Sequence, residues 1–199
     1  MFTLQIDTDL LQKGAALVGA TEKQLEAATT STLRKVKKRI ETRIKRRAAK
    51  ELRIPQRAIG DRFFSNNINP GESVLKVWIG TWAVSPYSIG SPAQTLRGVR
   101  VGRRSYPGAF LANIYTTQEK VWIRLHSPHY SPDLYPTKYR SGDRGLAGLR
   151  GRFPVVRAAV PIDGVVSDVV ELEGDAIMED FEKLFLQELN YQVNVKGQA

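Results

Sequence analysis

Between residues 33 and 48, Leu33, Val36, Ile40, Ile44 and Ala48 recur at steps of three and four while Lys and Arg fill most of the intervening positions. Such steps bracket the 3.6-residue helical turn and set the five apolar side chains on one face of an α-helix. The other faces carry Arg34, Lys35, Lys37, Lys38, Arg39, Arg43, Lys45, Arg46 and Arg47. A stripe this narrow lets the helix pack by one side only. Thr21-Glu22-Lys23-Gln24 has the spacing of a capping box at its start. Pro55 punctuates its end and suits the first turn of a short second helix reaching Arg62. Upstream, Asp7 to Val18 reads as a short helix stopped at Gly19. A last helix is expected from about Asp175, with Ile177, Phe181, Leu184, Phe185 and Leu189 on one face.

From Ser73 the period changes to two. Val74, Lys76 and Trp78 alternate with Leu75, Val77 and Ile79, a strand signature. Pro86 to Arg104, with its prolines, glycines and scattered arginines, is expected to be mostly loop. Ala109–Tyr115 and Lys120–Leu125 read as a strand pair joined across Thr116-Thr117-Gln118-Glu119. Phe153 to Val160 reads as a final strand, with Pro154 at its start or on a sheet edge. Ser127 to Arg152 is a long irregular stretch, and loops of that length in a compact domain are usually functional or disordered. The expected fold is therefore one α+β domain over residues 1–199: a basic N-terminal helix within a 1–52 helical element, a small antiparallel sheet of about three to four strands, a 127–152 loop insertion and a C-terminal helix.

Charge is the strongest compositional signal, +10 formally. Twelve Lys/Arg face only Glu41 and Glu51 between Arg34 and Arg57, whereas from Asp163 to the end nine acids face Lys183 and Lys196. A basic body with an acidic tail suits an anionic partner or neighbouring copies of the chain, and charge alone does not choose. With no cysteine, disulfides and thiolate-held metals are excluded. No apolar run approaches the ~20 residues that span a bilayer, and the N-terminus lacks the basic-then-apolar plan of a signal peptide, so a soluble, unexported chain is expected.

Catalytic patterns are thin. His126-Ser127-Pro128-His129 with Asp133 nearby lacks the helical i,i+4 spacing and the further ligands of a zinc site, so ordinary loop histidines explain it better. The acids Glu171, Glu173, Asp175, Glu179, Asp180 and Glu182 cluster at the last helix or its entry and read as a solvated face. No nucleophile elbow is present. Gly98-x-x-x-Gly102 lacks the P-loop ending, and the Gly142, Gly145, Gly148, Gly151 series is not a dinucleotide fingerprint, so turn glycines explain both. Trp78, Trp82 and Trp122 read as sheet packing rather than stacking platforms. No enzyme, cofactor or metal is expected.

Two segments together carry a family resemblance. Gly98-Val99-Arg100-Val101-Gly102-Arg103-Arg104, followed by Tyr106-Pro107-Gly108-Ala109-Phe110-Leu111, resembles the central signature of the minor tail protein Z family of long-tailed bacteriophages. Val121-Trp122-Ile123-Arg124, Phe153-Pro154-Val155-Val156 and Val160-Pro161 follow in that family's order, and the resemblance covers roughly residues 30 to 165. The 127–152 insertion departs from shorter members. The resemblance implies a structural virion protein acting in tail completion at the head-proximal end of the tail, the neck, where head and tail join. It implies assembly in the host cytoplasm and a homo-oligomeric ring, with a hexamer as the expected size. The implied partners are the tail terminator, tail tube and head connector, with at most a passing contact with DNA and none with a membrane. Pro107, Gly108, Ala109 and Phe110 would be its structural motif, turning the chain into a buried strand with Phe110 in the core. Lys38, Arg39, Arg43, Arg46, Arg47, Arg100, Arg103 and Arg104 are the candidate interface or anion-contacting residues. They suit subunit contacts, or, in the alternative, sequence-independent nucleic-acid binding through the 34–57 helix.

Overall fold

Thr21 begins the first long helix as its spacing predicts: its backbone N–H donates to Gln24 Oε1 (2.9 Å) and the Gln24 N–H donates back to Thr21 Oγ1 (3.4 Å). Helix α1 then runs Glu22–Leu52. It stops where Arg53 takes φ +53; the Ile54 N–H reaches Ala49 O (3.0 Å) and the Arg53 N–H reaches Lys50 O (3.2 Å), a Schellman closure with arginine in the glycine position. A 3-10 helix, Gln56–Arg62, follows Pro55.

The computed structural model describes residues 2–5, 11, 13–14, 16, 19–70, 74–114, 117–135 and 154–196. Within them the protein is mixed α+β, and the chain divides into two compact units. The first comprises Met1–Ala48, Arg62–Gly80 and Ser167–Ala199, the second Ala49–Asp61 and Thr81–Val166.

In the first unit, strands β1 (Phe2–Gln5), β2 (Phe63–Ser65) and β3 (Val74–Ile79) form an antiparallel sheet with β3 central. Leu75 and Val77 are buried while Lys76 and Trp78 are exposed, the alternation of a half-covered strand. Leu33, Val36, Ile40, Ile44 and Ala48 are all fully buried, so the sequence stripe of α1 is its core face. The C-terminal helix opposite it starts at Asp163, twelve residues before the expected Asp175, and runs to Asn190. Gly164, Gly174 and the valines disguise its first turns, yet Val166 and Val169, three apart, are buried. The buried Phe181 and Phe185 stack one turn apart, centroids 5.9 Å. Leu11 of the expected 7–18 helix is buried, and Leu11, Lys13, Gly14 and Ala16 are helical.

The second unit departs more from expectation. Pro86–Arg104 is not loop: after a single helical turn, α2 (Pro86–Ile89), come β4 (Pro92–Thr95), β5 (Gly98–Val101) and β6 (Arg104–Pro107), a three-stranded antiparallel meander. The C-terminal helix is accordingly α3. Two-residue connections, Leu96-Arg97 and Gly102-Arg103, leave too little chain for a loop. A third antiparallel sheet joins β7 (Phe110–Ala112), β8 (Lys120–Arg124) and β9 (Val155–Arg157), with β8 central. Among the described residues, three small sheets therefore stand where a single one was expected.

Val121 and Ile123 of β8 enter a core with Val99, Val101, Tyr106, Tyr135 and Val156, while Trp122 packs on the other face with Val155 and Phe110. Burial pushes the Tyr106 and Tyr135 phenols up from their ordinary pKa, so both stay neutral inside this core. Of the 127–152 stretch, Ser127–Tyr135 is turned and ends on the fully buried Tyr135; residues 136–152, with the glycine series, lie outside the described residues, as does Phe153.

Candidate functional site

Three of the candidate interface arginines turn inward, toward the chain itself. Arg39 Nη1 lies 2.9 Å from Asp180 Oδ1, Arg43 Nη2 3.1 Å from Asp180 Oδ2, and Arg47 Nη1 2.6 Å from Glu173 Oε1. Arg43 Nε also approaches Glu173 (3.5 Å), and Lys35 pairs with Glu188. Lys35, Arg39, Arg43 and Arg47 are spaced four apart, so they form one row along α1. Their partners descend from Glu188 to Glu173 as the α1 numbers rise, which makes α1 and α3 antiparallel. The carboxylates are the enclosed half: the Glu173 and Glu188 side chains are 10% and 11% exposed, whereas the basic side chains are 38–55% exposed. The α3 acids expected to be a solvated face thus divide into a paired row and an outer one.

Lys38 and Arg46 remain exposed, without an ion pair among the described residues. Arg34 reaches Ile68 O (3.4 Å), and Lys45 lies over the Phe63 ring, 5.5 Å from its centroid.

The β5–β6 arginines separate similarly. Arg100 is exposed and its Nε donates to Gly102 O (3.2 Å), at the turn where Gly102 takes φ +56. Arg103 is exposed beside it. Arg104 is half-buried and donates from Nη2 to Leu52 O (2.5 Å), capping the carbonyl end of α1, where a cation is favoured. It is a structural residue rather than an outward contact.

The Tyr106–Phe110 segment has a clear local cause. The Ala109 N–H donates to Tyr106 O (3.2 Å) across Pro107 and Gly108, and Gly108 has φ +69. Proline second and a positive-φ glycine third is the pattern of a type II turn. The turn sits against β5, where the Gly108 N–H donates to Arg97 O (2.9 Å) and a Cβ on Gly98 would fall 2.2 Å from Tyr106 O. The two halves of the signature therefore meet in one place.

Gln94, which sequence reasoning passed over, ties them to the next sheet: its Nε2 donates to Gly98 O (3.1 Å) and its Oε1 accepts from the Leu111 N–H (2.9 Å). A lone glutamine in a Pro/Gly-rich stretch gives no sequence signal of this role.

Phe110 is not in the core. It is half-buried and forms one wall of a cleft of about 560 Å³, with Gly108, Arg124, His126, Ser127 and Pro154. Its place on β7 is opposite Trp122, at the margin of the smaller cluster, so the core aromatic of the motif is Tyr106. Phe110→Ala should accordingly cost about 1–2 kcal/mol, not the ~3–5 of an enclosed aromatic site. A denaturant midpoint shifted as far as that of Tyr106→Ala would return Phe110 to the core.

His126 and His129 are both exposed, and among the described residues no group of three or more His, Asp or Glu is placed to hold a metal. No described helix is long and apolar enough to cross a membrane. Trp122 packs as its strand position suggests, with its indole N–H donating to Ala112 O (3.0 Å), whereas Trp78 is 40% exposed. No protein-family model matches this chain, and neither a curated protein nor a solved structure matches it.

Proposed function

We propose that this chain is a structural bacteriophage protein that completes the tail at its head-proximal end, acting as a ring through subunit and neck-protein contacts rather than through catalysis. The observation that carries the reading is the behaviour of the signature segment. Gly98, Tyr106, Pro107 and Gly108 make one tight backbone bracket beside two hairpin turns, which present Leu96, fully exposed, with Arg97 and Arg103, and Arg100 lies exposed on the strand between them. A rigid scaffold with an exposed leucine and arginines at its tips suits contact with another protein, where arginine is enriched.

The basic helix supports the same choice. Four of the twelve Lys/Arg between Arg34 and Arg57 are already matched by the chain's own carboxylates, which lowers the charge available to phosphates there by about a third. The nucleic-acid alternative retains the other exposed cations of the 34–57 segment, Arg34, Lys38, Arg46, Lys50, Arg53 and Arg57, with Arg100 and Arg103.

Disrupting the gene in its phage or prophage should leave full heads and separate, finished-length tails, rejoined when the protein is supplied in trans. Electron microscopy should then find the protein at the head-proximal tail end in several symmetry-related copies. Normal joined particles without it, or a single off-axis copy, would overturn the reading. Tight duplex binding at physiological salt, lost steeply as salt rises, would favour the alternative.

A further inference from the structure

Helix α3 has a second row of carboxylates that the pairing with α1 leaves unused. Asp168, Leu172, Asp175, Glu179, Glu182 and Leu186 recur at alternating steps of four and three, the 3.5-residue period of a helix–helix seam. All six are exposed, and Leu172 and Leu186 are each 62% exposed. Among these acids only Glu179 has an ion pair among the described residues, a loose one to Lys183 on the same helix (3.5 Å). Two leucines held open on either side of Asp175, Glu179 and Glu182 form a face with no partner within the described unit.

Helix α1 carries the complement. Lys38, Thr42 and Arg46 make an exposed row at steps of four, beside the row spent on α3. Lys38 and Arg46 stand ~12 Å apart along the axis, Asp175 and Glu182 ~10 Å, at 1.5 Å per residue. The in-chain ladder fixes the heights of the two helices: Arg47 meets Glu173, and Arg39 meets Asp180. Arg46 therefore lies level with Asp175, and Lys38 with Glu182.

We infer that the α1 outer row of one copy docks on the α3 outer row of a second copy, repeating between molecules the antiparallel basic–acidic pairing made within each. Arg46 meets Asp175, Lys38 meets Glu182, and Leu172 and Leu186 close against the aliphatic stems of the basic side chains beside them. The contact is head-to-tail, with different faces on the two partners, so every copy keeps one free face of each kind. Repeated from copy to copy in that sense, the contact generates a closed ring or an open row. This inference deepens the ring reading above and rests on that reading for closure; the pairing itself rests on charge, spacing and exposure. A second copy is favoured over nucleic acid because the acidic row carrying the exposed leucines would repel phosphate.

The test uses the full chain and two reversals, Lys38→Glu with Arg46→Glu, and Asp175→Lys with Glu182→Lys, none of which touches the in-chain ladder. By sedimentation velocity at low salt the wild type should self-associate, and less so as salt screens the rows. Each reversal alone should weaken association roughly 100-fold, as expected for like charges facing each other across an interface. Mixing the two variants should restore it, because each then presents what the other lacks. A wild type that stays monomeric at low salt, reversals without effect, or mixing without rescue would each overturn the docking. Loss of duplex binding in the Lys38/Arg46 variant with self-association intact would assign that face to nucleic acid. Tail joining that depends on the gene yet ignores both reversals removes the docking and keeps the tail function. Rescue by mixing, in a phage that joins tails without the gene, does the reverse.

Discussion

Gly98→Ala should destabilise the second unit by about 3–5 kcal/mol, more than any other glycine substitution in the described chain. Two costs combine. Gly98 has φ +143, a region closed to ordinary side chains at a cost of roughly 1–3 kcal/mol. The added methyl would also fall 2.2 Å from Tyr106 O, 2.9 Å from Gly108 N and 3.0 Å from Pro107 Cα. Those are backbone atoms of a hydrogen-bonded turn, so relief means opening the turn, and forced overpacking costs roughly 1–3 kcal/mol in its own right. Gly102→Ala is the control. Gly102 also has positive φ (+56), but nothing lies within 4 Å of its Cβ position, and its replacement should cost only about 1 kcal/mol. Denaturant midpoints for the two variants, with hydrogen exchange of the β4–β6 amides, measure the difference. Equal shifts would mean that φ alone matters and that the close approach of turn and strand is not the constraint.

That contrast bears on what was legible in the sequence. Both glycines look alike there, as punctuation in an arginine-rich stretch, and the stretch reads as loop. The strands β4 to β6 are four residues each, too short to display much alternation, although Val99 and Val101 do flank the exposed Arg100. The α1 stripe is legible because it persists for four turns, Thr21 and Gln24 mark its start and Pro55 its end; what the sequence hides is the closure itself, because an arginine rather than a glycine takes φ +53. Phe110 is misjudged for a different reason. Hydrophobicity and a strand position say that a side chain leaves water on one face, but how fully depends on what covers that face, and Tyr106 holds the enclosed place instead. The destination of the basic row is the least legible feature. Arg47 and Glu173 are 126 residues apart and Lys35 and Glu188 153, and neither helix alone shows which of its charged rows will meet the other.

Reversing Arg43 and Arg47 together, Arg43→Glu with Arg47→Glu, should cost about 3 kcal/mol of stability, although charged helix positions of this kind are ordinarily tolerant. As solvated side chains the two would contribute roughly 0–1 kcal/mol. Their partners decide otherwise. Glu173 accepts from Arg47 and lies beside Arg43 with its side chain 10% exposed, and Asp180, 18% exposed, is shared by Arg43 and Arg39. Removing one side of a buried pair leaves a desolvated carboxylate uncompensated, which costs roughly 3–5 kcal/mol. Solvent at the arginines, 38% and 42% exposed, trims the Coulomb part, while the like charge of the reversal adds to it. Thermal melts should place this variant well below wild type. Lys38→Glu with Arg46→Glu, the same change of net charge on the same helix, should melt within about 0.5 kcal/mol of wild type. Adding Glu173→Arg alone to the first variant should recover part of the loss by restoring opposite charges at that rung, with Asp180 left to Arg39. Equal melts for the two reversals would remove the ladder from the energetics of the fold. With the expected difference, failed tail assembly in the Arg43/Arg47 variant reports a damaged helix pair. Only the Lys38/Arg46 variant, folded and missing its outer charges, reports on contact between molecules.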